Sequence, residues 1–315
     1  MKDRFTLAHL SDFHLFSLKG VKVRDLLNKR IYAYLRWRTH RFTEHRTDIL
    51  KALASDLKKT APDHIVITGD VTHSGLVGEY AEVESQLRRL GLPADVTVIP
   101  GNHDTYVAAG GSSPLSRLSP YMASDPPRRT ECIDPDLSHL FPTLRIRRHV
   151  ALIGLSTARP CLPFLAVGRL GIPQIERLDR LLEETGRRGL FRVVLIHHPP
   201  GQGVVSWRKR LLDLDGLGRM LALRGAELVL HGHAHRGACG LLKGPARAIP
   251  VIGVPSSTTF GRTLEKRARY NVYSIPEGPC AEPFRVHARV YSPASGGCFV
   301  EEPFPCPGQP VIGRS

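Results

Sequence analysis

Five short segments of this 315-residue chain end an apolar run in residues able to hold a metal ion. They are Asp12-Phe13-His14, Gly69-Asp70, Gly101-Asn102-His103-Asp104 behind Pro100, His197-His198, and His231-Gly232-His233-Ala234-His235. Each alone has a commonplace reading, since Pro-Gly-Asn and Gly-Asp are ordinary turn sequences. Their recurrence at the ends of apolar runs is the signal. Neutral imidazoles and ionised carboxylates form a metal site when rigid elements bring them together. Asp12 and His14 can face one cation where the chain leaves extended geometry. Gly69 leaves room for close backbone approach at Asp70, and the two oxygens of one aspartate can bridge two ions. Asn102 adds a neutral carbonyl oxygen; His197, His233 and His235 add nitrogens. That inventory is too rich for one ion and suits two. A two-metal site activates a water and clamps phosphoryl oxygens in line. Nitrogen and oxygen ligands without cysteine favour Mn, Fe, Zn or Co over a thiolate-bound structural zinc. His103 is best placed outside the coordination sphere. With Asp104 adjacent, it would stay protonated and assist the leaving oxygen of a phosphoryl transfer.

The elements that must position these groups are legible. Phe5–Leu10, Ile65–Thr68, Val96–Ile99, Val150–Leu155, Val193–Ile196 and Leu228–Leu230 read as strands. Glu44–Lys59, Glu79–Arg89, Pro173–Glu184 and Leu214–Leu223 read as helices, the last capped by Asp213 or Asp215. Later strands fall at Ile249–Val254, Tyr270–Ile275 and Arg285–Tyr291. This order predicts an α/β layered fold, with helices outside a mixed sheet or sheet pair. Ligands gather at the carboxyl ends of strands in such sheets, where all five segments sit. Gly154-Leu155-Ser156-Thr157-Ala158 approximates a hydrolase nucleophile elbow, but that motif needs a helix directly after the serine. Arg159-Pro160 follows instead, which excludes it.

Residues 16–46 form the most basic block, with Leu27, Ile31, Tyr34 and Leu35 on one helical face and cations on its flanks. Such a face packs on its own domain, the commoner use, or lies on a membrane surface or acidic partner. Residues 105–145 are rich in Gly, Ser and Pro without a long periodic segment, as in a cap or lid.

Apolar and charged fractions of 42% and 23% belong to a globular protein and exclude global disorder. A net charge of +15 points to an anionic partner: a phosphorylated small molecule, a lipid surface or nucleic acid. No apolar run is long enough to span a bilayer. The N-terminus leads straight into a strand, without the pattern of a secretory signal. Six scattered cysteines lack ligand spacing and read as mostly reduced structural thiols, which favours a cytoplasmic location. Contact of residues 19–46 with the inner face of the membrane would make the protein peripheral there.

The ordered series Asp12-x-His14, Gly69-Asp70, Gly101-Asn102-His103-Asp104, His197-x-Pro199 and Gly232-His233-x-His235 resembles the calcineurin-like metallophosphoesterase superfamily over roughly residues 5–275. The resemblance implies a layered metallophosphoesterase-type mixed β-sandwich flanked by helices, with a basic helical insertion at 19–46 and a cap-like segment at 105–145. The domain would run over 1–301, followed by a loosely held tail at 302–315. Asp12, His14, Asp70 and His235 would hold one metal; Asp70, Asn102, His197 and His233 would hold the other. His103 would be the catalytic histidine, with Asn102 beside it at the substrate. His198 and His231 would lie outside the ligand set. The implied activity is hydrolysis of a phosphodiester or pyrophosphate by attack of metal-bound hydroxide on phosphorus. Within the superfamily the arrangement is similar to the bacterial branch containing class III cyclic-nucleotide phosphodiesterases, glycerophosphodiesterases and UDP-2,3-diacylglucosamine pyrophosphatases. The alternatives are a lipid-linked UDP-sugar pyrophosphatase at a membrane, a nuclease, or a non-catalytic scaffold.

Overall fold

The computed structural model describes residues 4–37, 45–107, 113–126, 137–261, 263–278 and 283–304. Two six-stranded mixed sheets form the frame. The first runs β12 (Cys298–Glu302), β11 (Arg285–Ser292), β10 (Arg269–Pro276), β1 (Arg4–Leu10), β2 (His64–Ile67), β3 (Val96–Val98). The second runs β4 (Thr143–Arg147), β5 (Val150–Gly154), β6 (Phe191–Ile196), β7 (Leu228–His231), β9 (Ile249–Gly253), β8 (Ala238–Leu242). Each has a parallel centre: β1, β2 and β3 in one, β5, β6, β7 and β9 in the other. Parallel strands are buried on both faces and so read as unbroken apolar runs. His64–Ile67 and Leu228–His231 are buried throughout.

Alternation divides the core. Val193, Leu195, Leu228 and Leu230 join the cluster containing β1, β2 and β3, together with α3 (Thr47–Thr60) and α4 (Val77–Leu90). Val194, Ile196 and Val229 point the other way, onto α6 (Ile172–Arg187) and α7 (Leu214–Arg224). Period-two side-chain direction makes a strand serve both layers at once. The result is the expected layered α/β sandwich. Register then aligns the strand ends: Leu10 pairs with Ile67, Ile67 with Val98, and Ile196 with His231.

Some expectations need correction. Of the stripe Leu27, Ile31, Tyr34 and Leu35, Tyr34 is half-buried with its ring 6.4 Å from that of Phe16, and the other three are not packed on the domain. In α1 (Val23–Leu26), α2 (Arg30–Arg36) and the turn between them, those three side chains are exposed, while Ala33 is buried. Helix α2 instead turns the small Ala33 inward. Asp213 does not cap α7 with its side chain; its carboxylate accepts from the Leu170 and Gly171 amides at the start of α6. Cys239 is disulfide-bonded, against the expectation of reduced thiols, whereas Cys161 and Cys298 are free. In the 105–145 segment, the described residues Leu115, Leu118, Tyr121 and Met122 (the last two in α5, Ser119–Met122) belong to the main core. Residues 108–112, 127–136 and 305–315 lie outside the described residues. Among the described residues, no helix is long and apolar enough to cross a membrane.

One buried group gives the fold a pH signature. His64 Nε2 hydrogen-bonds Thr97 Oγ1 at 2.8 Å, and burial holds the His64 pKa down to about 3. The unfolded chain therefore binds this proton first as pH falls. Stability from this residue is full above pH 6.5 and declines toward pH 3, with a slope approaching about 1.4 kcal/mol per pH unit. Chemical denaturation of His64→Gln between pH 7 and roughly 4.5 should show a correspondingly shallower loss than wild type. Equal slopes would contradict the assignment.

Candidate dinuclear metal and catalytic site

The parallel strands of both sheets end at one rim, and the predicted residues follow directly. Asp12, Phe13 and His14 follow β1; Gly69 and Asp70 follow β2; Gly101, Asn102 and His103 follow β3. His197 follows β6, and His233 and His235 follow β7. Backbone pairing continues past the strands, with the Asp12 amide donating to the Gly69 carbonyl (2.9 Å) and the His14 amide to Asp70 (3.0 Å). The two sheets are tied across the rim. His197 Nδ1 donates to the Thr68 carbonyl at 2.6 Å, and the His233 amide donates to Asp12 Oδ2 at 3.0 Å.

Asp12, His14, Asp70, His233 and His235 all have positive φ, between 47° and 64°. Only eight non-glycine residues among those described share that property, so the rim concentrates it. Left-handed backbone costs roughly 1–3 kcal/mol at an unfavourable residue; Asp and His tolerate it better than branched side chains do. The conformation turns alternate side chains of Asp-x-His and His-x-His toward one centre. Close packing demands glycine next to them: a Cβ on Gly101 would collide with Asp70 Oδ1, and one on Gly232 would sit 2.7 Å from Asp12 Oδ2.

Among the described residues three donor groups result, two of them containing a carboxylate: Asp12 with His14 and His235, and Asp70 with His197 and His233; the third is His14 with His73 and His103. His14 Nε2 lies 3.7 Å from Asp12 Oδ1, 3.8 Å from Asp70 Oδ2 and 3.3 Å from His235 Nε2. His197 Nε2 lies 3.4 Å from Asp70 Oδ2 and 3.2 Å from Asn102 Oδ1. Ligands about 2.0–2.2 Å from a shared ion show separations of this size. Asp70 therefore reaches both groups through a single oxygen, Oδ2, because Oδ1 accepts the His103 amide at 2.7 Å. His233 Nε2 is directed to the Lys209 carbonyl (3.1 Å), which leaves Nδ1 for a cation. Backbone-anchored second nitrogens of this kind orient ligating imidazoles.

Electrostatics favour the same reading. Asp12 Oδ1 and Asp70 Oδ2 are buried with no hydrogen-bond partner, and they are the oxygens that face the imidazoles. A buried carboxylate left unpaired costs several kcal/mol, a cost that cations offset. Burial pushes Asp12 up to about 7, and the neighbouring Asp70 adds to the rise against the pull of His197. Burial also opposes ionisation of Asp70, yet His197 and His103 hold it well below the usual carboxylate range. His197 is pulled up to about 9 by Asp70 and Asp12 against its own burial. A bound ion must displace such a proton.

The remaining predicted residues separate in place. His198 has both nitrogens engaged, with Thr157 Oγ1 (2.7 Å) and the Ala166 carbonyl (3.1 Å), and burial holds it down to about 3. His231 is buried, with Nδ1 on the Gly232 carbonyl. Asp104 does not face the His103 ring, which corrects its expected pairing. Its carboxylate accepts from the Gly101, Val71 and Thr72 amides and the Thr72 hydroxyl. It holds the loops after β2 and β3 together. His103 Nδ1 instead donates to the His73 carbonyl at 2.5 Å.

The sequence did not point to the supports of His103. The His103 ring stacks on Tyr106, which carries Lys29 Nζ 4.3 Å from its centroid. His73 Nε2 hydrogen-bonds the Ala33 carbonyl, and Arg30 donates to the Ser74 and Gly75 carbonyls. Helix α2 thus clamps the loop that holds the histidine. His45 was also missed; its ring lies 4.9 Å from that of His14, with Nδ1 on Thr258 Oγ1. A histidine inside an arginine-rich stretch gave no spacing signal. Beside it opens a cleft of about 680 Å³, walled by Phe16 and Trp37, whose rings stack at 4.0 Å, and by Arg46, Asp48 and Thr258.

The comparisons with known proteins agree with this geometry. The family model for calcineurin-like phosphoesterases matches residues 5–237. A Synechococcus protein named as a probable cyclic nucleotide phosphodiesterase is 27% identical over 225 residues, covering 68% of this chain and 76% of that protein. The crystal structure of a dimetal phosphatase from Danio rerio superposes with a TM-score of 0.61 at 14% identity, covering 95% of this chain and 99% of the other. A purple acid phosphatase from yellow lupin superposes with a TM-score of 0.60 at 11% identity over 96% of this chain and 53% of its own. The structural likenesses establish the fold, and the match over most of the chain establishes the family: this protein is a member of the calcineurin-like phosphoesterases.

Proposed function

We propose that the protein is a dinuclear metal-dependent phosphodiesterase acting on a small nucleotide-like phosphodiester. The observation that carries this reading is the single oxygen Asp70 Oδ2, which lies between two groups of metal-ligand side chains. Asp12, His14, Asp70 and His235 would hold one ion; Asp70, Asn102, His197 and His233 would hold the other. The donor set suits Mn, Fe, Zn or Co. Such a pair supplies activation of a water and a clamp on the phosphoryl oxygens.

The chain's own groups complete the chemistry. His103, with Nδ1–H fixed on the His73 carbonyl, presents Nε2 to the rim and delivers a proton to the departing oxygen. The Asn102 amide stands next to it at the phosphoryl group. The Phe16–Trp37 wall of the adjoining cleft gives a flat organic group a surface on which to stack. The name of the Synechococcus relative supports a nucleotide substrate.

The test is a Mn-loaded substrate panel of bis(p-nitrophenyl) phosphate, cyclic nucleotides, glycerophosphodiesters, nucleotide-sugar lipids and single-stranded DNA. Hydrolysis of the first two is expected, and failure on every phosphodiester would overturn the reading. His103→Ala should lower kcat by about 10²–10⁴-fold with metal content, measured by plasma mass spectrometry, unchanged. Full activity would remove its role. Gly101→Ala should displace the Asp70 carboxylate and lose both metal and activity; normal metal content would show that Asp70 is not the bridge. Trp37→Ala should raise KM for a cyclic nucleotide while leaving kcat on bis(p-nitrophenyl) phosphate near wild type. An unchanged KM would place the organic group elsewhere.

A further inference from the structure

The helical insertion presents an unusual outer surface. Leu27, Tyr32 and Leu35 are 72%, 54% and 51% exposed, and on the neighbouring loop Leu162 and Phe164 are 74% and 79% exposed. The two elements meet. The Tyr32 and Phe164 rings lie 5.8 Å apart, and Lys29 Nζ donates to the Cys161 carbonyl at 2.7 Å. Phe164 has φ of 66°, a strained conformation for a bulky residue. Trp207, on the segment next to this loop, is 62% exposed. The loop pairs with that segment through the Ala166 amide on the Arg208 carbonyl (2.9 Å) and the Gly168 amide on Arg210 (3.1 Å).

Charge accompanies the apolar side chains. Segments 22–37, 159–169 and 206–210 carry ten Lys or Arg, of which Lys29 and Arg30 bond the protein's own carbonyls, and a single acid, Asp25. Exposed aromatic and aliphatic groups set among cations match the interface of an anionic bilayer, where rings sit at headgroup depth and long cations reach phosphates. A second copy of this chain would bring like charge against like. The surface also touches the site from two directions. Lys29 covers Tyr106, which stacks on His103, and the Lys209 carbonyl accepts from His233.

We propose that this surface docks the protein, with the metal-site rim facing the lipid, onto an anionic bilayer. The proposal is independent of the catalytic reading, since binding needs no turnover. The test is co-sedimentation of the full chain with vesicles of phosphatidylcholine alone or mixed with phosphatidylglycerol. The protein should pellet with the mixed vesicles, stay in solution with the neutral ones, and be released by high salt. The pair Phe164→Ser and Trp207→Ser should weaken binding to mixed vesicles at least tenfold while hydrolysis of soluble bis(p-nitrophenyl) phosphate stays at the wild-type level. Arg208→Glu should weaken it without removing an apolar group. Wild-type protein that remains in solution with anionic vesicles, or variants that bind as wild type does, would overturn the proposal. So would a wild-type oligomer in sedimentation velocity that the serine pair dissolves, which would assign the surface to a protein contact.

Discussion

Two buried carboxylate oxygens, Asp12 Oδ1 and Asp70 Oδ2, face a ring of imidazole nitrogens with no hydrogen bond of their own. Much of the surrounding structure exists to hold that arrangement. Leaving such oxygens in a dry interior is costly unless positive charge stands beside them, and the backbone has given up conformational freedom to put them there. Asp12, His14, Asp70, His233 and His235 adopt left-handed backbone within a few residues of a strand end. The close approach of Gly101 and Gly232 removes the side chains that would push the carboxylates apart. The opposite oxygen of each aspartate is fixed by an amide, from His103 for Asp70 and from His233 for Asp12. Each carboxylate is thereby aimed, with one oxygen tied down and the other presented.

The frame makes this possible through register. Parallel strands in each sheet end in step, so the loops that follow start from one plane. The site then closes between sheets through His197 on the Thr68 carbonyl and Ser256 Oγ on the Asp12 carbonyl. Loss of either sheet's alignment would open the ring even with every ligand residue present. The candidate ligands accordingly come in two sequence-distant groups, one from each sheet.

That same geometry decided what could be read in advance. Buried parallel strands leave unbroken apolar runs, so β2, β6 and β7 were legible, and so were the chemical residues at their ends. Exposed edges leave no such trace. β8 (Ala238–Leu242) has an exposed middle with Gly240 in it, and β12 lies at the other sheet's edge. In β4 the alternation is broken by Arg145, a buried cation spent on the Ala123, Pro93, Val96 and Pro120 carbonyls. Residue order suggested that Asp104 assists its neighbour His103, but side-chain direction assigns it to the Gly101 and Thr72 amides. The supports of His103 come from His73 and from helix α2, contacts that depend on how an insertion folds back and carry no spacing pattern. The stripe on that insertion was visible; whether it is covered by the domain was a tertiary question.

The central claim is that Asp70 joins two cations at the meeting of the two sheets. Anomalous diffraction from crystals of the Mn-loaded protein tests it most directly. The account predicts two peaks about 3.5–4 Å apart, with Asp70 Oδ2 between them and His14 and His197 on opposite sides. A single peak, or two peaks that do not share Asp70, would contradict it.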